Sequence, residues 1–136
     1  MERVIVTSRL SLRMPSEPAT AQDVATAQDL LDTLAAHHNE CVGLAANMVG
    51  IRKRIIAISD NGADSAMLNP TIVEKSAPYQ TEEGCLSLPG RRATTRYQHI
   101  VVRWQDLDMV WHQKRFSGWT AQIIQHEIDH CDGILI

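Results

Sequence analysis

Apolar side chains recur every three or four residues from Val24 through Ala27, Leu31 and Leu34 to Ala35, the period that aligns them on one face of an α-helix. Thr20 followed by Asp23 supplies a capping-box pattern just upstream, so a helix is predicted over residues 21–38 with its stripe turned to a core. The pattern then changes to short runs of β-branched residues. Residues 54–59 read as a buried strand, Asp60-Asn61-Gly62 as a turn, and residues 66–73 as a second strand interrupted by Pro70, which together predict a hairpin. Residues 97–104 and 109–116 flank Asp106-Leu107-Asp108 and predict another antiparallel pair. A last helix is predicted over 119–131, ended by Gly133 in a left-handed cap. A short strand candidate opens the chain, and the closing GILI reads as strand-like. Strands bracketed by two helices, without a βαβ alternation, predict an α+β fold of antiparallel strands around the C-terminal helix.

At 136 residues the chain is expected to form one domain with a single core over residues 1–136. Its 13 Lys and Arg against 16 Asp and Glu leave a net charge of −3, which removes the basic excess of a nonspecific nucleic-acid binder. The three cysteines are an odd, widely spaced set, and the N-terminus has no continuous apolar core of signal-peptide length, so a reducing cytoplasm is expected. No apolar run approaches the roughly 18 residues of a membrane span.

Candidate chemistry is concentrated near the end. His126 and His130 stand four residues apart in QHEIDH, so their imidazoles share one helix face. With Cys85 of EGCLS they make a His/His/Cys ligand set that leaves a fourth tetrahedral position open, the mark of a catalytic rather than a structural site. Glu127 projects about 100° round the helix from His126, placed to take a proton from water as general base and return it as general acid. Trp119, Gln122 and Ile123, lying seven, four and three residues before His126, are expected to border a pocket for a substrate side chain; for Trp119, packing against the sheet is an equal expectation. Cys131 is expected to be buried and apolar. Metallopeptidases share HExxH, but their usual third ligand is His or Glu, and Cys85 argues against them.

Three strings occur in order: CVGLAANMVG at 41–50, EGCLS at 83–87 and QHEIDH at 125–130. With Asn69-Pro70 and the 89–93 stretch, they make residues 30–135 resemble the peptide deformylase family, whose pattern is GxGLAAxQ, EGCLS and HExDH. The resemblance implies a metal-dependent hydrolase that removes the formyl group from N-formylmethionyl peptides and releases formate. It implies that Cys85, His126 and His130 hold one divalent ion, Fe2+ first, with Zn2+, Ni2+ or Co2+ as substitutes. Ribosome-associated nascent chains are the implied partners, with no direct nucleic-acid or membrane partner. By the same likeness, the Leu86 backbone N–H meets the formyl oxygen, and Val42, Gly43 and Leu44 line the peptide cleft. Gly43 and Gly84 are expected to permit a close approach of substrate or an unusual φ. Arg92 aligns with the family's arginine and is expected at the substrate; Arg91 and Arg96 are candidates for the same contact or for pairing with Asp129 behind the metal helix.

Two departures stand out. Cys41 replaces the first glycine of the first string, and Met48 replaces its glutamine, whose amide donates to the developing oxyanion in the family. A thioether has no hydrogen to donate. Loss of one such donor typically costs about 10²–10³ in rate, so slow deformylation is expected, and a metal-binding protein with weak or no turnover that holds N-blocked peptides is the second reading. Asn47 carries an amide, but an extended backbone would turn it to the opposite face.

Overall fold

The computed structural model describes residues 1–136. The capping box forms as the pattern implied: the Thr20 backbone N–H donates to Asp23 Oδ2 at 2.8 Å, and Thr20 Oγ1 accepts from the Gln22 N–H at 3.3 Å. It starts a 3₁₀ turn (Ala21–Asp23) that runs into an α-helix (Val24–Ala36), whose Ala27, Leu30, Thr33 and Leu34 are buried. Ahead of it the chain departs from expectation. The opening residues form no strand, because Ser8 caps a single helical turn, α1 (Arg9–Leu12), through a bond from the Ser11 N–H to Ser8 Oγ. The longer helix is therefore α2.

Five strands follow in a sequential antiparallel sheet, order β1-β2-β3-β4-β5: β1 (Gly43–Ala45), β2 (Ile55–Asp60), β3 (Ala63–Cys85), β4 (Leu88–Gln105) and β5 (Trp111–Ser117). Asp60 pairs with Ala63, leaving Asn61-Gly62 as a two-residue turn with φ of 51° and 89°, the conformation that Asn-Gly favours. Pro70 does not end β3. The register slips between Leu68 and Thr71, and Asn69 takes φ 54° there while its side chain accepts from Ala19 N and donates to Gln105 Oε1, each at 2.7 Å. That bulge absorbs the missing proline donor, so β3 and β4 run well past the predicted 66–73 and 97–104 and meet in a tight turn at Leu86-Ser87.

The last helix, α3 (Gly118–Cys131), lies against the sheet through Ala121, Ile123, Ile124 and Ile128. Leu30, Leu34, Ile56, Ile58, Met67, Leu68 and Ile124 are all fully buried in the core it shares with α2. Each such side chain contributes about 1.5–3 kcal/mol, so α3 is held rigidly where its histidines are needed. Its end is a Schellman motif: Gly133, at φ 75°, donates to His130 O at 3.0 Å and Ile134 N donates to Asp129 O at 2.9 Å. A Cβ on Gly133 would lie 2.4 Å from Arg13 O. The turn carries the chain away from the sheet, so GILI forms no strand, although Ile136 is buried.

Candidate metal centre and substrate cavity

The turn between β3 and β4 places Cys85 opposite α3. Cys85 Sγ lies 3.3 Å from His130 Nε2, which lies 3.2 Å from His126 Nε2, and the three donor atoms fall within 4.8 Å of one another. Corners of a tetrahedron drawn with ordinary zinc–nitrogen and zinc–sulfur bonds are about 3.3–3.6 Å apart, so the spacing fits one shared cation. The donor set suits it too: one thiol and two imidazoles, with no lysine or arginine among them.

Behind the histidines lies a polar network that the sequence only hinted at. His126 Nδ1 donates to Glu83 Oε1 at 2.8 Å, the carboxylate support that metal-ligating histidines commonly have. Glu83 also accepts from Arg96 Nη2 at 2.7 Å and from Gln122 Nε2 at 2.9 Å, and Arg96 Nη1 reaches Asp129 at 2.7 Å. Burial pushes the Glu83 carboxyl up, but His126, Arg96 and Gln122 more than offset it and hold the group at about 2. Burial likewise opposes charge on both histidines. His126 nevertheless keeps its proton well above the usual range beside Cys85, Glu127 and Glu83, whereas His130, buried and facing His126, is lowered.

Glu127 lies beside this trio, buried, with Oε1 meeting no protein donor. Burial raises it to about 7. Gly43 explains how the carboxylate fits: a Cβ there would lie 2.8 Å from both Glu127 Oε2 and Ile123 Cγ2. The glycine therefore serves the approach of a side chain of α3, with no positive φ involved. Gly43→Ala is expected to cost about 1–3 kcal/mol through overpacking, read as a lower urea midpoint, with activity falling alongside as Glu127 is displaced. Gly84 lines the cavity and has no positive φ, its Cβ position meeting Gly90 O at 3.6 Å, so an unusual φ is not its reason to be glycine.

The site opens into a cavity of about 850 Å³. Its wall includes Val42, Gly43, Met48, Gly84, Leu86, Trp119, Gln122 and Ile123. Trp119 is 62% exposed at the rim, which decides between its two expected roles in favour of the cavity. The side chains of two candidates lie elsewhere. Leu44 alternates to the opposite side of β1 and is fully buried in the core, and Arg91 rather than Arg92 reaches the cavity wall. Asn47 also differs from expectation, because residues Ala46–Val49 form a 3₁₀ turn rather than an extended segment; its amide donates to His130 O at 2.7 Å, and it is Met48 that faces the cavity. Cys131 is buried as expected. His37, His38, His99 and His112 pair with Glu40, Asp64, Ser117 and Asp106 and do not join the trio, although His38 lines the cavity.

Of the residues that sequence reasoning left without a role, Glu83 and Gln125 matter most. Gln125 Oε1 accepts from Tyr97 N and its Nε2 donates to Tyr97 O, both at 2.9 Å, which staples α3 to β4. The usable signal for Glu83 was chemical: a histidine that binds metal through one ring nitrogen needs an acceptor at the other.

A helix-borne HExxH joined to a cysteine at a strand end, with a buried carboxylate beside a cavity of mixed polar and apolar lining, defines a metallohydrolase of the Cys/His/His class. Comparison with known proteins is more specific. The polypeptide deformylase family model matches residues 1–136, and the chain belongs to that family, whose members are metal-dependent enzymes that remove the formyl group from nascent peptides. It is 48% identical to the peptide deformylase of Clostridium beijerinckii over the whole of both chains. It is 35% identical to that of Thermotoga neapolitana, over all of this chain and 85% of the relative. Among solved structures, the Thermotoga maritima peptide deformylase superposes with a TM-score of 0.87 at 31% identity, covering 99% of this chain and 94% of the other. A Met-Ala-Ser-bound class I type b peptide deformylase from Acinetobacter baumannii gives 0.88 at 28%, covering 99% and 97%.

Proposed function

We propose that Cys85, His126 and His130 hold one divalent ion, Fe2+ in the cell, and that Glu127 drives hydrolysis of the formyl group of N-formylmethionyl nascent chains in the cytoplasm. The observation that carries this reading is the convergence of the three donors beside a buried carboxylate raised to about 7, close to the pH at which it would work. The ion would supply Lewis acidity to the formyl carbonyl and to water. Glu127 takes a proton from water as its oxygen attacks the formyl carbon. The same carboxyl then passes the proton to the amide nitrogen as the C–N bond breaks, releasing formate and the free amine. The Leu86 backbone N–H is the proposed donor to the developing oxyanion. β1 is an edge strand, paired only with β2, so its free side can pair with an extended peptide backbone while the first side chain enters the cavity. No helix is long and apolar enough to cross a membrane.

Met48 sets the rate in this scheme. It is 1% exposed, and its sulfur accepts from Ala45 N at 3.4 Å. A glutamine there can place its oxygen where the sulfur is and turn its N–H2 to the reacting carbonyl. Met48→Gln is therefore expected to raise kcat/KM on formyl-Met-Ala-Ser about tenfold, less than the 10²–10³ lost when an established donor is removed. An unchanged or lower rate in a folded, metal-loaded variant would show that the oxyanion has another donor. Formate release by anaerobically prepared, Fe2+-loaded protein tests the function itself. Metal binding without formate would favour the second reading, a protein that binds N-blocked peptides without turning them over, for which Met48 is the motive.

A further inference from the structure

We propose that Gln122 is a positioning residue that ties the wall of the substrate cavity to the metal ligand His126 through Glu83. Gln122 lies one helical turn before His126 and lines the cavity, where an apolar side chain would serve to bury a substrate methylene chain. A half-buried amide in such a wall costs free energy unless both its ends are bonded. Both are. Nε2 donates to Glu83 Oε2 at 2.9 Å, a charge-assisted bond, and Oε1 accepts from the Tyr79 hydroxyl at 3.4 Å from β3.

The geometry at Glu83 gives this bond its consequence. Oε1 accepts from His126 Nδ1 at 2.8 Å and Arg96 Nη2 at 2.7 Å, Oε2 accepts from Gln122 at 2.9 Å, and Arg96 Nε is shared by the two oxygens at 3.1 and 3.0 Å. Gln122 thus loads the oxygen that His126 does not use and, together with the Arg96 fork on both oxygens, holds the carboxylate so that Oε1 faces the imidazole. That contact fixes the ring's orientation and raises the basicity of the Nε2 turned to the ion. A substrate side chain resting on Gln122 bears on the same chain of bonds.

The inference rests on the metal site proposed above. Its test is a titration of metal-free protein with Co2+, read by chelator competition and by the visible spectrum, in the wild type and in Gln122→Met, which keeps the length and loses both hydrogen bonds. Affinity is expected to fall about threefold to tenfold, short of the 10–100-fold typical for a ligand's direct partner, with a shift of the d–d bands. Tyr79→Phe is expected to weaken Co2+ about twofold in the wild type and not at all in the Gln122→Met background, because contacts in one network are not additive. Wild-type affinity and spectrum in Gln122→Met, with only KM altered, would overturn the proposal and leave Gln122 as cavity wall. An equal Tyr79→Phe effect in both backgrounds would overturn the link through Gln122. A wild-type protein that takes up no Co2+ would instead sink the metal-site reading beneath it.

Discussion

Glu127→Gln is expected to lower kcat/KM for formate release by about 10²–10⁴ while leaving the fold and the bound metal in place, because positioned proton transfer contributes a factor of that size. The isosteric change isolates the proton from the packing. Glu127 is 5% exposed and wedged against Gly43, whose added Cβ would come within 2.8 Å of Oε2, so an amide of the same size keeps the contact with Gly43 and Ile123. What it lacks is the ability to accept a proton at one atom and return it. Metal content by elemental analysis, beside formate release, checks both halves of the expectation. A rate within a few fold of wild type at full loading would remove Glu127 from the proton path.

Arg96→Met is expected to destabilise the protein by about 3–5 kcal/mol, the cost of breaking a buried ion pair from one side. The Arg96 and Glu83 side chains are 4% and 8% exposed, and Arg96 also reaches Asp129, so its loss takes the guanidinium from one buried carboxylate, leaving it His126 and Gln122, and frees another. The urea midpoint of the metal-free protein reads this directly, and a change below about 1 kcal/mol, the range of exposed pairs, would contradict it. The pH dependence has a definite sign. Glu83 is depressed from 4.5 to about 2, so its contribution is fully present above pH 4.5 and is lost as pH falls toward 2. Without Arg96 its carboxyl titrates higher, and acid unfolding of Arg96→Met is expected to begin at a higher pH than that of the wild type. Parallel acid-unfolding curves would mean that Arg96 does not hold Glu83 charged.

The two histidines proposed to hold the ion and the glutamate between them are local in sequence, and they were legible there. His126, Glu127 and His130 are placed by the 3.6-residue period alone, and Gly133 marks the end of their helix by needing φ 75°. The capping box at Thr20 and the Asn61-Gly62 turn were readable for the same reason, since each is satisfied within a few residues. The far halves of β3 and β4 were not. Residues 71–78 are exposed or half-buried throughout, so no alternation of apolar and polar positions marks them, and Pro78 adds a misleading break. The network of Glu83, Arg96, Gln122 and Asp129 escaped for a further reason: its members lie on β3, β4 and α3 and meet only once the long hairpin has folded over the helix. The pairing of Arg96 with Asp129 was one of two open options for those arginines, and the structure selects it. Leu44 and Met48 show the limit of a motif, which names a segment without saying which of its side chains turn to the core and which to the cavity.

Metal content and formate release followed together in one anaerobic preparation test the central claim most directly. Initial rates on formyl-Met-Ala-Ser are expected to rise in proportion to Fe2+ up to one ion per chain, and Cys85→Ala is expected neither to retain the ion nor to release formate. Formate release from metal-free protein, or an ion held equally well by Cys85→Ala, would contradict the account.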